Sequence, residues 1–597
     1  MDPDALLAGL DEQQAEAARA LLGPVSILAG AGTGKTRTIT HRIAYGVASG
    51  VYPPNRVMAL TFTSRAAAEL RARLRPLGAD RVAARTFHAA ALSQLNYFWP
   101  QVAGGDAPRI LEAKARLIAD AATAVRARVD TAILRDVAAE IEWRKVSNLS
   151  LEEYESAAHA RRSMPGSMSV DQMLELQRTY ERMKDEQRRI DFEDVLLATA
   201  GMIETEPSVA LQVREQYRFF VVDEYQDVSP LQEHLLRLWL GDRDDLCVVG
   251  DASQTIYSFA GARSEYLLDF ARRHPEATVV SLEQNYRSTT AVLDVANRLM
   301  RGRPGALTLH AAAPDAGEPP TIDEYADDRA EANGVADRVA ALVAEGVQPH
   351  DIAILFRVNA QSPELEQSLA DRGVSYQVRG GKRFFDQPDV ARAVLELRAA
   401  SVSVTGEPLF KSVSDVLRSR GWSQEPPAAA GAVRERWDLL NALMRLAEEM
   451  PEGTTFRAFT DELMLRQSMQ HEPTVRAVTL ATLHSAKGLE WPHVFIVGAA
   501  EGLLPISHAG GLEAIDEERR LFYVGITRAR MRLHLSWARQ GTRRSADRSP
   551  SRFLAELGTR TADAGWASSP SRASRPDAPG GRSRPGGVTP PGRGAPT

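Results

Sequence analysis

Short apolar runs alternate with helical periodicity along the first part of the chain. Residues 23–43, "GPVSILAGAGTGKTRTITHRI", predict a strand, a glycine-rich loop and a helix. Residues 56–74, "RVMALTFTSRAAAELRARL", repeat the strand-then-helix pattern, and residues 246–259, "LCVVGDASQTIYSF", predict another strand that ends in polar residues. This alternation favours a parallel α/β sheet, in which ligands bind at the carboxyl ends of the strands.

Helical spacing interrupts this α/β pattern. The stretches "LEAKARLIADAATAVRARV" and "SVDQMLELQRTYERMKDEQRR" have helical periodicity and few strand signals. We therefore predict an inserted helical domain over residues 90–211, within a first α/β domain formed by residues 1–89 and 212–277.

A second α/β region is predicted over residues 278–383 and 472–557. Helical pattern returns between these segments, so residues 384–471 are predicted to form a second, short helical insertion. Residues 558–597 are rich in Gly, Pro, Ser and Arg, cannot bury a core, and are predicted to be a disordered tail. The strand candidates of the second region are "ATVVSLE", "DIAILFR", "VSYQVRG", "AVTLATL", "HVFIVG" and "LHLSWA".

Composition narrows the possible classes of protein. The 597 residues are 44% hydrophobic and 25% charged, which is ordinary for several globular domains. A single cysteine, Cys247, excludes an intramolecular disulfide and a cysteine-rich zinc cluster. The start lacks the pattern of a secretory signal, and no apolar run reaches the roughly 18 residues of a membrane span. We expect a cytoplasmic protein without a membrane partner.

Net charge does not decide whether the partner is a nucleic acid. The formal charge is −6, which argues against a surface covered in basic residues. A local basic channel remains compatible with it, because only the local field matters.

The stretch "AGAGTGKT", residues 29–36, has the order of a phosphate-binding loop between a strand and a helix. Gly30, Gly32 and Gly34 would let backbone N–H groups, including those of Ala31 and Thr33, face the phosphates. Lys35 would reach the β- and γ-phosphates, and the Thr36 hydroxyl would bind Mg²⁺. The strict pattern begins with Gly where this chain has Ala29. The alternative is a glycine-rich turn that happens to precede Lys-Thr.

Two adjacent carboxylates end an apolar run in "RFFVVDEYQDVSPLQ", residues 218–232. Beside a phosphate loop, the first acid after such a strand can hold Mg²⁺ and the next can polarise the attacking water. We therefore assign the metal role to Asp223 and the base role to Glu224. Without the loop, such a pair is more often a helix cap or a solvated turn.

These motifs, taken in order with others, resemble those of UvrD/Rep/PcrA-type superfamily 1 DNA helicases. The resemblance covers about residues 10–557, and it implies two RecA-like P-loop NTPase-type core domains, each interrupted by a helical domain. The stretches that carry it are "LDEQQAEA", "AGAGTGKT", "LTFTSRAAAEL", "RTFHAAAL", "DEYQDVSPLQ", "VVGDASQTIYSFAGA", "LEQNYRST", "TLHSAKGLEWPHVFIVG" and "EERRLFYVGITRAR".

The resemblance implies roles at the nucleotide. Gln14 resembles the glutamine that recognises adenine, Tyr286 the aromatic that stacks on it, and Arg37 lies beside the phosphate loop. Gln254 resembles the residue that links the γ-phosphate to the DNA site. Arg287 and Arg528 resemble the two arginines that the second core points at the γ-phosphate. Glu490 would lie at the same cleft.

The resemblance also implies a path for single-stranded DNA across both cores, where bases stack on aromatic rings. The matching aromatic positions are Phe62, Tyr257 and Phe259, with His88 and His484 as polar contacts. From periodicity alone, Phe62 and Tyr257 could equally be core residues. Ala260 departs from the family, which usually has Trp-Arg where this chain has Phe259-Ala260.

The expected function is therefore an ATP- and Mg²⁺-dependent DNA helicase of 3′-to-5′ polarity, acting in DNA repair on single-stranded and 3′-tailed duplex DNA. A monomer or weak dimer associated with the nucleoid is expected, with a repair or loading protein as possible partner. One alternative is a DNA-stimulated translocase that displaces proteins and needs a partner to unwind. More remote alternatives are a P-loop NTPase without a DNA role and a non-catalytic DNA-binding scaffold.

Overall fold

The computed structural model describes most of the chain up to residue 558. The described residues are 2–161, 164–166, 168–313, 315–379, 385, 387–403, 406–425, 432–448, 450–469, 476–507, 509–541 and 547–558. The predicted disordered tail, residues 558–597, therefore lies outside the described residues from residue 559 onward.

Parallel strands form the framework of the molecule. The strands are β1 Val25–Ala29, β2 Val57–Thr61, β3 Ala83–Thr86, β4 Arg109–Ile110, β5 Arg189–Ile190, β6 Phe219–Val222, β7 Leu246–Gly250, β8 Thr278–Leu282, β9 Gln284–Asn285, β10 His310–Ala311, β11 Thr321–Asp327, β12 Ile352–Phe356, β13 Tyr376–Arg379, β14 Val478–Thr482, β15 Trp491–Ile496 and β16 Ala529–Gln540.

The helices connect these strands and form the insertions. They are α1 Pro3–Leu7, α2 Glu12–Arg19, α3 Lys35–Ala48, α4 Ser64–Leu74, α5 Phe87–Val102, α6 Lys114–Ala124, α7 Thr131–Val146, α8 Leu151–Arg161, α9 Val170–Glu186, α10 Phe192–Thr205, α11 Pro207–Gln216, α12 Pro230–Leu240, α13 Glu265–Leu268, α14 Phe270–Arg273, α15 Thr290–Met300, α16 Asp328–Ala344, α17 Ser362–Asp371, α18 Pro388–Ser403, α19 Leu409–Arg418, α20 Ala432–Glu448, α21 Phe456–Met469, α22 Leu512–Ile526 and α23 Arg552–Glu556.

The first six-stranded sheet has the order β3-β2-β6-β7-β1-β8, and its strand pairs are parallel. Both faces are buried, because alternate residues of β6 enter different hydrophobic clusters: Phe219 and Val221 one, Phe220 and Val222 the other. This explains why the strand reads as a continuous apolar run. The segments that follow β1, β2, β6 and β7 all lie at the carboxyl edge of this sheet.

Strand β8 differs from the expectation that it opens the second α/β region. It pairs in parallel with β1 along Val25–Ala29, at the edge of the first sheet. The sequence pattern cannot distinguish these two placements, because a strand between two α/β domains can join either sheet.

The second six-stranded sheet has the order β11-β16-β15-β12-β14-β13, again with parallel pairs. Its strand candidates from the sequence, apart from β8, all form strands here. Two edge strands were not among the candidates: β3 in the first sheet and β11 in the second. Both edge strands carry polar residues and are only partly buried, so neither presents the apolar run of a central strand.

Two small helical cores lie outside the sheets. Helices α6 to α9 enclose one cluster, which includes Ile118, Ile141, Leu176 and Tyr180. Helices α5, α10 and α11, by contrast, pack into a cluster shared with the first sheet. The separate helical core is thus narrower than the predicted insertion of residues 90–211. Helices α18 to α21 enclose the second small core. Within the described part of the chain, no helix is long and apolar enough to cross a membrane.

Candidate nucleotide site and aromatic cluster

The glycine-rich loop joins β1 to α3 and keeps its backbone open on one side. Gly32 and Gly34 have φ angles of 72° and 81°, which favour glycine. A Cβ on Gly32 would lie 2.4 Å from Asn285 Nδ2, and one on Gly34 would lie 2.7 Å from Gln14 Nε2. Asn285 also donates to the carbonyl of Ala31 at 2.6 Å. The loop therefore fits a phosphate group at the N-terminus of α3.

Lys35 and the two acids after β6 meet at the carboxyl edge of the first sheet. Lys35 Nζ lies 3.4 Å from Glu224 Oε1. Burial opposes the charge of Lys35, but Glu224, Asp251 and Asp223 outweigh it and raise the lysine pKa. Burial also works against the Glu224 carboxylate, yet Lys35 and Lys487 outweigh it and lower the pKa of Glu224 to about 2. Glu224 is therefore ionised and able to orient a water by accepting its hydrogen bond.

Asp223 has the opposite shift. Its burial, and then the neighbouring Glu224, raise the pKa of Asp223 to about 7. A divalent cation would relieve this crowding of negative charge and favour the ionised carboxylate. Asp223 and the hydroxyl of Thr36, the second residue of α3, are oxygen donors suited to Mg²⁺. The residues present thus fit the metal ion that the motifs imply.

The residues predicted to bind the adenine base of ATP surround the other end of the glycine-rich loop. Gln14 is buried, and its Nε2 donates to the carbonyl of Thr33 at 2.9 Å. The Tyr286 ring is 51% exposed, and its hydroxyl donates to Asp11 Oδ2 at 2.6 Å. Arg37 is exposed and donates to a backbone carbonyl before α2 at 2.7 Å. Tyr286 therefore presents a free face for stacking, whereas the Gln14 amide is already engaged with the loop.

The two predicted arginines reach the same site from different elements: Arg287 follows β9, and Arg528 immediately precedes β16 of the second sheet. Arg528 is 1% exposed and precedes β16, and its Nη2 lies 3.5 Å from Gln254 Oε1. Burial and the nearby Arg287 lower the pKa of Arg528 to about 9, which still leaves it charged at neutral pH. Arg287 Nε donates to Glu490 Oε2 at 2.5 Å. These contacts bring the five predicted catalytic residues to one cleft, which we call the nucleotide cleft. The five residues are Lys35, Glu224, Gln254, Arg287 and Arg528.

Four of the five predicted DNA residues form what we call the aromatic cluster: Phe62, Tyr257, Phe259 and His484. The Phe62 and Tyr257 rings are nearly parallel, with centroids 5.7 Å apart and a 12° interplanar angle. Phe259 lies 6.1 Å from Tyr257 and 6.0 Å from His484. Phe62 and Phe259 are 46% and 66% exposed, so each leaves ring surface open to a nucleobase.

His88 is not part of the aromatic cluster. Its ring stacks instead on Phe192, the first residue of α10, at a centroid distance of 4.0 Å. Burial lowers the pKa of His88 to about 4, so the ring is neutral at pH 7. Phe192 is 53% exposed. Sequence reasoning missed Phe192, since nothing in "RIDFEDVLL" sets it apart from a core residue.

Lys487 is a second residue that sequence reasoning missed. Its Nζ lies 2.5 Å from Asp227 Oδ2 and 2.8 Å from the carbonyl of Gln254. The same ammonium stands 5.0 Å from the centre of the Tyr257 ring. It therefore joins the second sheet to the nucleotide cleft and to the aromatic cluster. Its signal was its position between two predicted site residues, His484 and Glu490.

Comparison with known protein families assigns both halves of the chain. Residues 10–275 match the UvrD/REP helicase N-terminal domain. Residues 280–401 and 408–540 match the UvrD-like helicase C-terminal domain. The chain belongs to the UvrD/REP family of helicases.

Curated relatives align over nearly the whole chain. The chain is 48% identical to "ATP-dependent DNA helicase UvrD2" of Mycobacterium tuberculosis (strain H37Rv), over 94% of this chain and 83% of the relative. It is 29% identical to "ATP-dependent DNA helicase PcrA" of Bacillus subtilis (strain 168), over 92% of this chain and 86% of the relative. A PcrA helicase of Staphylococcus aureus (strain MRSA252) is also 29% identical, over 93% and 87% of the two chains.

Proposed function

We propose that this chain is an ATP-dependent DNA helicase and translocase that moves 3′ to 5′ on single-stranded DNA and separates 3′-tailed duplexes. One observation carries the proposal: two segments each connect the nucleotide cleft with the aromatic cluster. Gln254 and Tyr257 are three residues apart in the first, and His484 and Glu490 six residues apart in the second. The similarity to relatives named as ATP-dependent DNA helicases supports the same activity.

The side chains of the cleft suit phosphoryl transfer. Glu224 would orient the attacking water and take up its proton. Arg287 and Arg528 would face the γ-phosphate, and an arginine in that role is worth roughly 10³- to 10⁵-fold in rate. Mg²⁺, when bound at Asp223 and Thr36, supplies positive charge to the phosphate oxygens. Because both arginines come from the second core, hydrolysis would depend on closure of the cleft.

The finer aspects of this function rest on the family alone. We infer a role in DNA repair, a monomer or weak dimer, and association with the nucleoid in the cytoplasm. A repair or loading protein is the expected partner.

A translocase that displaces proteins and unwinds only with a partner is the second candidate. Ala260 favours it, since the residue after Phe259 has no cation to hold DNA. The small second insertion, with α18 to α21, favours it too. Such a protein would hydrolyse ATP on DNA but separate few strands alone.

The test is ATP hydrolysis with and without single-stranded DNA, followed by unwinding of duplexes with a 3′ or a 5′ tail. We expect strong stimulation by DNA in the wild type, loss of hydrolysis in Glu224→Gln, and unwinding of the 3′-tailed duplex only. Glu215→Gln, an exposed change on α11, is the matched control and should behave as wild type.

Each outcome separates the candidates. Hydrolysis indifferent to DNA would contradict the proposal and favour an NTPase that acts on something else. Stimulated hydrolysis without unwinding would favour the partner-dependent translocase. Unwinding from 5′ tails would reverse the proposed polarity.

A further inference from the structure

Gln226 is a fully buried glutamine whose amide is bound at both ends. Its Nε2 donates to Glu224 Oε2 at 2.5 Å, and its Oε1 accepts the backbone N–H of Asp251 at 3.0 Å. Only the nitrogen end can donate to a carboxylate and only the oxygen end can accept an N–H, so the partners fix the orientation of the amide. Gln226 itself is 0% exposed and would touch neither ATP nor DNA.

The Glu224 end of this link matters because the backbone of Glu224 is unusual. Glu224 has φ 54° and ψ 42°, a left-handed conformation that non-glycine residues rarely adopt. The side-chain carboxylate contacts Lys35 on one side and Gln226 on the other. Gln226 is thus the neutral hydrogen-bond donor that holds Glu224, the proposed general base, in place.

The Asp251 end connects to the aromatic cluster. Asp251 Oδ1 accepts the N–H of Ser253 at 2.9 Å, and its Oδ2 accepts Gln254 Nε2 at 2.7 Å. The short turn that these bonds stabilise, Ala252–Gln254, leads within three residues to Tyr257. If Tyr257 shifts when it binds a nucleobase, the shift would therefore be transmitted to the backbone N–H of Asp251, which donates to Gln226.

We propose that Gln226 is a positioning residue that couples DNA at the aromatic cluster to the placement of Glu224 for hydrolysis. This inference rests on the proposed function and adds the residue that joins its two sites. Gln226 acts through Glu224. Its two hydrogen bonds make the position of the Glu224 carboxylate depend on the segment that carries Gln254 and Tyr257.

Gly250 provides an independent way to disturb the same amide. A Cβ on Gly250 would lie 2.4 Å from Gln226 Oε1 and 2.9 Å from Leu267 Cδ2, although the backbone of Gly250 has no left-handed φ that would itself require glycine. Glycine at this position therefore makes room for the Gln226 amide. Gly250→Ala should displace the amide without removing either partner.

The experiment compares Gln226→Met, which keeps the shape but loses both hydrogen bonds, with Gly250→Ala. We expect the DNA-stimulated kcat to fall roughly 10- to 100-fold in both, as for a slightly misplaced catalytic group. The KM for ATP and the Kd for single-stranded DNA should stay within about twofold of wild type, since no substrate contact is lost. Gln232→Ala, a glutamine of the same segment that only caps α12, is the matched control.

A double-mutant cycle with Glu224→Gln tests whether Gln226 acts through Glu224. If it does, Gln226→Met will lower the residual kcat of Glu224→Gln by less than about twofold, because the group it positions has already been replaced. A structural role would instead make the two losses multiply.

Wild-type behaviour separates failure of this inference from failure of the proposed function. If DNA does not stimulate wild-type hydrolysis, the proposed function fails. If DNA stimulates the wild type, and equally stimulates Gln226→Met and Gly250→Ala, the coupling role is overturned. The coupling role would also be overturned if DNA affinity and kcat fell equally, or if the losses of kcat in Gln226→Met and Glu224→Gln multiplied in the double mutant. Either result would favour general destabilisation.

Discussion

The two six-stranded sheets share parallel pairing and buried central strands, yet they present opposite edges to the nucleotide cleft. The first sheet offers its carboxyl edge, where Gly30 follows β1 and Asp223 follows β6. The second sheet offers its amino edge, where Glu490 precedes β15 and Arg528 precedes β16. Parallel sheets usually bind ligands at the carboxyl edge, so the second sheet serves here as a partner to the site of the first.

The acidic residues near the two sheets also differ in how their charges are paired. Asp223 and Glu224 stand side by side directly after β6 of the first sheet, and Lys35 and Lys487 offset the charge of Glu224. In the second half of the chain, Glu518 of α22 pairs with Arg357, which follows β12, at 2.8 Å. The carboxylates after β6 thus crowd negative charge together, whereas Glu518 is paired within the fold. The difference teaches that a shared architecture does not imply a shared function.

The largest expected effect is at Arg528, which belongs to the sheet without a phosphate loop. Arg528→Ala should lower DNA-stimulated kcat by roughly 10³-fold or more, because an arginine that faces the γ-phosphate stabilises the transition state. Steady-state hydrolysis measures this. Arg539→Ala, at a side chain 63% exposed toward the other end of β16, is the control and should change little. Equal, small losses in both variants would mean that the second sheet does not serve the chemistry of the first.

A smaller effect is expected at the aromatic cluster, which draws rings from both sheets. Phe62→Ala and His484→Ala should each weaken binding of single-stranded DNA roughly 10-fold, since one stacked base is worth roughly 1–3 kcal/mol. Fluorescence anisotropy with a labelled oligonucleotide measures the affinity. Tyr97→Ala removes an aromatic ring that is 63% exposed but lies outside the cluster, and it should bind as wild type. A loss in Phe62→Ala alone would confine DNA to the first sheet.

The last prediction concerns stability rather than activity, at Glu331, a buried acid of the second half. Its Oε1 accepts the N–H of Gly498 at 2.9 Å and the hydroxyl of Ser536 at 2.5 Å, but burial dominates and raises its pKa from 4.5 to about 7. The folded chain therefore keeps a proton that the unfolded chain releases, and stability falls as pH rises from about 4.5 to about 7. The contribution is up to about 3 kcal/mol.

Glu331→Gln should remove this pH dependence. From pH 5 to pH 8, the thermal midpoint of the variant should rise by a few degrees relative to that of the wild type. Differential scanning calorimetry at both pH values measures it. Glu345→Gln, an exposed change at the end of α16, should follow the wild type. Parallel pH profiles for Glu331→Gln and wild type would mean that Glu331 is ionised in the folded protein.

The sequence by itself determined the local structure of the site. The glycine-rich loop, the apolar run that ends in Asp223 and Glu224, and the central strands of both sheets are visible because each depends on residues close together in the chain. Central strands such as β6 and β12 are buried on both faces and read as apolar runs. The edge strands β3 and β11 are partly polar, so local pattern did not reveal them.

Only the tertiary structure decided which distant residues meet and which sheet each strand joins. It placed β8 beside β1 and stacked His88 on Phe192 rather than on the aromatic cluster. It also brought Lys487 to Asp227, 260 residues away in the chain. The physical reason is that these placements depend on packing and charge pairing between segments far apart in sequence. A strand, a ring or an ammonium group carries no local mark of the partner it will meet.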